Sequence, residues 1–426
     1  MTRDLEASGT TTGPSAGPAG RLSAWRFVVT FGIVAMLADV VYEGARSITG
    51  PLLAHLGATA LVVGVVTGIG ESAALLLRLA SGPLADRTGR FWAWAIAGYG
   101  LTVVSVPLLG LASVLWVAAA LIIAERVGKA VRSPAKDTLL SHATAVTGRG
   151  RGFAVHEALD QVGALTGPLA VAGVLALTHN DFRPALLTLA VPGALALALL
   201  VWLRVQVPHP GRYELGLPSQ PTSRAPAAAR PPAAAAGVAR LPNAFWTYAT
   251  FAGLTMTGFA TFGVLSFHLV KAGLLSVSLV PVLYATAMVV DALAAVATGL
   301  AYDRYGAVVL ITLPVVAGVI PALAFSASLP LAVVGVLAWG AALGVQESTL
   351  RATVADLVGP GRRATAYGVL GAVVGVAAAA GGALAGGLYE TSVPLLVAVT
   401  AALQVAAVAV LVTALRRAKA PPQPAE

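Results

Sequence analysis

The feature that most constrains this chain is an apolar run, long enough to cross a lipid bilayer, that returns twelve times. A membrane-spanning helix needs about 20 predominantly apolar residues. Such runs fall at about 25–55, 60–82, 91–111, 114–140, 152–178 and 183–203, then at about 243–270, 275–301, 307–327, 330–355, 365–389 and 392–415. A soluble domain carries about 25% charged residues, whereas this one carries 11%, with 58% hydrophobic residues and a mean hydropathy of +0.84. In hydrocarbon every backbone N–H and C=O must find an internal partner, so segments of this kind fold as helices. The expectation is an all-α membrane protein of twelve transmembrane helices in two pseudo-symmetric six-helix halves.

The polar stretches divide the chain. Residues 1–22, rich in Thr, Ser, Gly, Pro and Ala, are too polar for a signal peptide and read as a disordered N-terminal tail. The first half is then 23–204. Residues 205–241, containing PTSRAPAAARPPAAAAGVARLP, read as a Pro/Ala/Arg-rich linker. The second half is 242–416, and 417–426 are a basic tail. Lys and Arg cluster in short loops, which sets orientation in a membrane. A cytoplasmic N-terminus places Arg21, Arg26, Arg87, Arg90, Arg149, Arg151, the linker arginines, Arg304, Arg362, Arg363, Arg416, Arg417 and Lys419 inside, leaving Arg183 and Lys271 near the outer ends. Both termini and the linker are therefore expected to be cytoplasmic, in a multi-pass protein of the cytoplasmic (inner) membrane.

The net charge of +9 belongs to this topology and not to a nucleic-acid partner. There is no cysteine, hence no disulfide or thiolate chemistry, and six scattered histidines give no metal site. No phosphate-binding Gly-x-x-x-x-Gly-Lys-Ser/Thr signature is present, so neither nucleotide nor other cofactor is expected.

One motif occurs twice. SGPLADRTGR at 81–90 closes an apolar run, and TGLAYDRYG at 298–306 repeats its core, Gly82, Asp86, Arg87 and Gly89 answering to Gly299, Asp303, Arg304 and Gly306. Arg132 and Asp137 likewise share a spacing with Arg351 and Asp356. The chain reads as a duplication. The repeated element resembles the loop between the second and third helices of major facilitator superfamily transporters and its echo between the eighth and ninth. It departs from that pattern at Phe91, where a further basic residue is common, and at Ala307, the counterpart of Arg90. The resemblance implies two halves that rock about a site at mid-membrane, with the charged loop gating its cytoplasmic mouth. Asp86 is expected there to accept hydrogen bonds from a helix N-terminus of the other half in the outward-facing state.

Two further patterns extend the resemblance in part. Arg126 matches an arginine the family often carries in the fourth helix, although the Gly four residues on is Ala130, with Gly128 displaced. Gly163, Gly167 and Pro168 fit a Gly-x-x-x-Gly-Pro pattern of the fifth helix associated with exporters that exchange substrate for protons. Close helix packing accounts for the same glycines.

Ionisable side chains at mid-bilayer cost about 2.5 kcal/mol or more and need a partner, water or a role. Asp39, Glu43 and Arg46 share one face of the first helix, with Asp39 roughly 20 Å of helix above Arg26 at ~1.5 Å per residue. Glu71 and Arg78 share a face of the second. A carboxyl group in such surroundings can exchange a proton as its environment changes. Asp39, Glu71 and Glu43 are the proton-coupling candidates, Asp39 first because Arg46 neutralises Glu43. Glu125, Arg126, Lys129, Arg132 and Lys136 in the fourth helix face His156, Glu157, Asp160 and Gln161 in the fifth. Expected pairs are Arg126 or Lys129 with Asp160, and Arg132 with Glu157; Asp39 and Glu71 are the further choices for Arg126. The second half offers Asp291, and Glu347 paired with Arg351. Tyr42, Gln161, Asp291 and Glu347 are candidates for substrate contact. His268, Lys271, Trp25, Trp92, Trp202 and Trp246 are expected at the membrane interfaces.

The function expected is proton-coupled secondary transport of a small organic solute by a monomer, without enzymatic activity and with efflux by antiport slightly ahead of uptake by symport. A non-transporting sensor, or an intramembrane enzyme built on His156, Glu157 and Asp160, is the rival of another class. The low aromatic content, 6%, argues against a large aromatic-lined drug pocket, and the cations of the fourth helix suit an anionic or zwitterionic solute.

Overall fold

The computed structural model describes residues 22–215, 241–359 and 362–419, so most of the expected linker and tails lies outside the described residues. The first half contains α1 (Ala24–His55), α2 (Ala60–Leu76), α3 (Arg78–Thr88), α4 (Phe91–Leu109), α5 (Leu115–Thr147), α6 (Arg149–Leu177), α7 (Phe182–Thr188), α8 (Ala190–Gln206) and the short α9 (Arg212–Leu215). The second half contains α10 (Asn243–Thr257), α11 (Phe262–Lys271), α12 (Val280–Tyr305), α13 (Thr312–Ala324), α14 (Leu329–Leu357), α15 (Arg363–Thr391) and α16 (Val393–Lys419). Ten stretches among the described residues are long and apolar enough to cross a membrane. One of them, Val277–Ala324, is two helices on either side of a turn at Gly306, and the more highly charged α5 is a further helix of bilayer length. This is consistent with twelve passes.

Successive passes alternate direction. The described ends of the chain therefore share one face, here the terminal face, and the turns after His55, Leu109, Leu177, Lys271, Ala324 and Thr391 form the far face. Side-chain oxygens cap several helix starts: Thr59 accepts from the N–H of Val62 and Asp181 from that of Arg183. Both copies of the repeated motif do the same local work. Gly82, Asp86 and Arg87 lie in the last turns of α3, and Gly299, Asp303 and Arg304 in those of α12, while Gly89 (φ 61°, ψ 8°) ends its helix in the left-handed helical conformation and Gly306 (φ 66°, ψ -156°) ends its own in an extended positive-φ conformation that also favours glycine. The expected charged loop is thus mostly helix, with only Gly89 and Arg90 in the turn. Asp86 is exposed and, among the described residues, has no hydrogen bond or salt bridge.

Van der Waals packing and close backbone approach, not hydrophobic exclusion, join helices in lipid. The largest interface is α2 on α15, where Gly64 lies against the backbone of Gly382, Gly386 against Ala60 and Gly68 against Ala378. Gly50 of α1 meets Gly263 of α11 in the same way. Within the first half, Gly163 and Gly167 of α6 sit against the carbonyls of Met36 and Val40, so the Gly-x-x-x-Gly pattern is a helix-packing device here. These backbone-to-backbone approaches between the halves lie toward the far face, whereas α5 and α14 make no comparable packing among the described residues.

Three expectations need correcting. Residues 207–215 do not leave the first half: Val207 is buried and the Tyr213 hydroxyl donates to the carbonyl of Leu22 at 2.9 Å. Trp92 is buried against Phe27 and Phe31 on the terminal side of the first half, while Trp25, Trp202 and Trp246 are exposed as interfacial side chains are. His268 is buried, not interfacial; its ring nitrogens lie 3.0 Å from the Tyr389 hydroxyl and 3.1 Å from the carbonyl of Ser326, and only Lys271 beside it is exposed.

A methyl group at Gly64 or Gly382 would press on backbone that cannot yield. Gly64→Ala and Gly382→Ala should each destabilise by about 1–3 kcal/mol, read as a lowered thermal midpoint in detergent. Gly100→Ala and Gly299→Ala, where no atom lies within 4 Å of the added carbon, should not. Equal midpoints in all four variants would remove the close-approach account.

Candidate functional site

The site follows from three helix positions. Arg46, Glu71 and Arg126 lie at nearly equal chain distances from the far-face ends of α1, α2 and α5 and therefore meet at one depth. Arg46 Nη2 donates to Glu71 Oε1 at 2.9 Å, and Arg126 Nη1 lies 3.5 Å from the same oxygen. Behind them Glu43 Oε1 is 3.7 Å from Arg46 Nη1, and Glu125 Oε2 is 3.4 Å from Arg126 Nε. Tyr42 is enclosed by cations: Arg126 donates to its hydroxyl, and Lys129 Nζ stands 3.8 Å from its ring centroid. Arg46, Arg126 and Lys129 balance Glu43, Glu71 and Glu125, which is how six ionisable groups share one apolar interior. Tyr284 of α12 donates to Glu43 Oε2 at 2.5 Å and ties this network to the second half.

A second cluster lies nearer the terminal face, between α1, α5 and α6. Arg132 Nη2 is 3.5 Å from Asp39 Oδ1, Lys136 Nζ is 3.5 Å from Asp160 Oδ2, and His156 Nε2 is 3.7 Å from that oxygen. The Arg132 guanidinium lies over the Tyr99 ring. These contacts are long, and the Tyr99 hydroxyl, Arg132 Nη1, His156 Nδ1 and Asp160 Oδ1 are buried with no hydrogen-bond partner among the described residues.

Several expected pairings are wrong. Arg126 pairs with Glu71, one of the two further choices, and not with Asp160; Arg132 pairs with Asp39 and not with exposed Glu157. The reason is depth. Lys136 and Asp160 are equidistant from the Gly148 turn and so face each other, whereas Arg126 is about three turns deeper. The cations beside Asp39 and Glu71 come from other helices: Arg132 of α5 for Asp39, and Arg46 of α1 with Arg126 of α5 for Glu71. The expected Glu43–Arg46 contact is present. Arg78 opens α3 on the terminal side of Glu71, and the side chain of Arg351, expected to pair with Glu347, lies outside the described residues.

Between the halves is a cavity of about 90 Å³. The first half contributes Arg46, Glu71 and Arg126, and the second Phe259, Phe262, Trp339 and Gln346. Tyr42, Gln161, Asp291 and Glu347, the expected substrate contacts, do not line it: Tyr42 is enclosed by the cations, Asp291 is buried where α12 crosses Gly344, and on α14 it is Gln346, one residue before Glu347, that turns inward. The wall is aromatic despite the low overall content, because its few rings converge; Phe259 and Trp339 stack at 6.3 Å. The expected continuous run at 243–270 is in fact broken, with α10 ending at Thr257 and α11 starting at Phe262, and the intervening residues Phe259–Thr261 line the cavity. Non-helical backbone at membrane depth is tolerated where it lines a cavity, so Gly258 in TMTGFATFG was the available signal.

Removing one member of a buried ion network leaves an uncompensated charge, at about 3–5 kcal/mol. Arg126→Met should therefore lower thermal stability more than Arg126→Met combined with Glu71→Met. Equal midpoints for single and double variants would show that the two charges are not coupled.

The model of the Major Facilitator Superfamily matches residues 31–286. An uncharacterized protein of Mycobacterium tuberculosis is 62% identical over 395 residues, 92% of this chain and 93% of that protein. An uncharacterized MFS-type transporter of Methanocaldococcus jannaschii is 28% identical over 190 residues, 44% of this chain and 47% of its own length. Among solved structures, the nucleoside transporter NupG superposes with a TM-score of 0.69 at 14% identity, covering 93% of this chain and 100% of that one. A family match over more than half the chain, and a fold shared with a solved transporter along nearly its whole length, lead to one conclusion: the chain belongs to the Major Facilitator Superfamily.

Proposed function

We propose that this transporter is proton-coupled, that it moves a small organic solute across the cytoplasmic membrane by alternating access, and that it exports the solute in exchange for protons. The observation that carries the reading is the pair of buried acid–base networks in the first half, one of which forms a wall of the cavity between the halves. Ionisable groups are kept at that depth where they have work to do. The two networks divide the labour. Glu71, between two guanidiniums, faces the solute, while Asp39, with Arg132, Lys136, His156 and Asp160, forms the looser cluster in which a proton is loaded and released.

The Lys and Arg bias puts the terminal face in the cytoplasm. With the far face packed through Gly50–Gly263 and Gly64–Gly382, and α5 unpacked from α14, the arrangement is inward-facing. In this reading residues 23–204 and 242–416 are the rocking units, the linker is cytoplasmic, and a monomer is the working unit. The helix-five pattern at Gly163, Gly167 and Pro168 supports export. Exposed Asp86 fits a state in which the cytoplasmic gate is apart.

The test is flux in proteoliposomes, with a solute identified by metabolite profiling of overexpressing against deletion cells. Asp39→Asn should abolish stimulation by an imposed pH gradient, at least a tenfold loss, and keep exchange of solute for solute. Glu71→Gln should impair both. Gradient-dependent flux at the wild-type rate in Asp39→Asn would move the coupling site elsewhere, and accumulation of the solute by overexpressing cells would reverse the direction. Asp86→Asn should slow transport severalfold with unchanged membrane insertion; a wild-type rate would remove its gating role.

A further inference from the structure

The cavity wall is chemically polarised in a way that specifies its occupant. α11 begins at the cavity, and no side chain caps its first turn. A helix N-terminus presents free N–H groups and the positive end of the helix dipole. The guanidiniums of Arg46 and Arg126 line the same space from the opposite half. Together these favour an anionic group, and a planar guanidinium matches a carboxylate best. Two acceptors are also present. Glu71 is one, and Gln346 Oε1, buried on the cavity wall with no hydrogen-bond partner among the described residues, is the other. A buried acceptor left unmatched is costly, so its natural complement is an N–H donor on the occupant. Phe259, Phe262 and Trp339 supply the rings of the wall, beside aliphatic side chains and the hydroxyls of Thr49, Thr67 and Thr261. The indole N–H of Trp339 is already spent on the carbonyl of Ala260 at 3.0 Å, so only its ring is offered.

We infer that the substrate is a small zwitterion built like an apolar amino acid: a carboxylate held by Arg46, Arg126 and the start of α11, an ammonium group held by Glu71 and Gln346 Oε1, and an apolar or planar body against the three rings. The inference rests on the transport reading only in taking this cavity as the solute site. It accounts for acidic and basic groups in one wall, since a ligand bearing both charges can pair with each.

Equilibrium binding to the purified protein in nanodiscs, without any gradient, tests it. The probes are two matched triads: phenylalanine, 3-phenylpropanoate and phenethylamine; and leucine, 4-methylpentanoate and 3-methylbutylamine. At least one zwitterion should bind, and raise the thermal midpoint, with each singly charged analogue of its triad at least tenfold weaker. In Gln346→Leu the zwitterion should lose about tenfold against its carboxylate analogue, narrowing the gap between them. No binding by either zwitterion, or an amine that binds as tightly as its zwitterion, overturns the inference. An unchanged ratio in Gln346→Leu removes Gln346 from it. Because no pH gradient is applied, loss of proton coupling in the flux assay leaves these outcomes untouched, and the two readings fail separately.

Discussion

The cost of charge in hydrocarbon is the constraint on which the rest of this structure depends. Bringing Arg46, Glu71 and Arg126 to mid-depth is possible only if each carboxylate and guanidinium has a counterpart within a few ångströms, and here Glu43, Glu125 and Lys129 complete the balance. That requirement fixes the rotation of α1, α2 and α5 about their own axes. Once their charged faces point at one another, their apolar faces are committed to lipid or to neighbouring helices, and the first half has little freedom left.

The second half is organised differently. It contributes rings and backbone to the cavity instead of ions. The break between α10 and α11 turns Phe259 and Phe262 toward Trp339 and leaves a helix start at membrane depth, while the carbonyl of Ala260 is satisfied by the Trp339 indole. Duplication thus preserved the frame, as Gly89 and Gly306 show by ending corresponding helices at positive φ, while the chemistry of the halves diverged.

What the sequence makes legible is whatever depends on position along one helix. The apolar runs, the helix-ending glycines and the Glu43–Arg46 contact are of that kind. What it hides depends on how helices are rotated and set in depth against each other. Asp160 suits Arg126 by charge, although the turn at Gly148 places it opposite Lys136, and Glu347 draws attention by its charge, although Gln346, about 100° away on α14, is the residue that faces the cavity. His268 and Trp92 looked interfacial because they lie near helix ends, but near an end is not outside: each found partners inside its own half.

The polar chain that crosses the molecule links geometry to chemistry. Tyr284 on α12 donates to Glu43, Glu43 lies against Arg46, Arg46 binds Glu71, and Glu71 is shared with Arg126. Arg46 is therefore divided between a carboxylate held by the second half and one facing the cavity. A motion of the halves that separates Tyr284 from Glu43 leaves Glu43 more dependent on Arg46, and so weakens the hold of Arg46 on Glu71. The converse also holds, since coupling between two sites is reciprocal: an occupant that takes Arg46 away from Glu43 makes the hydroxyl of Tyr284 a more valuable partner and favours the arrangement in which the halves meet there. Occupancy of the cavity and the relative position of the halves are in this way two readouts of one shared guanidinium.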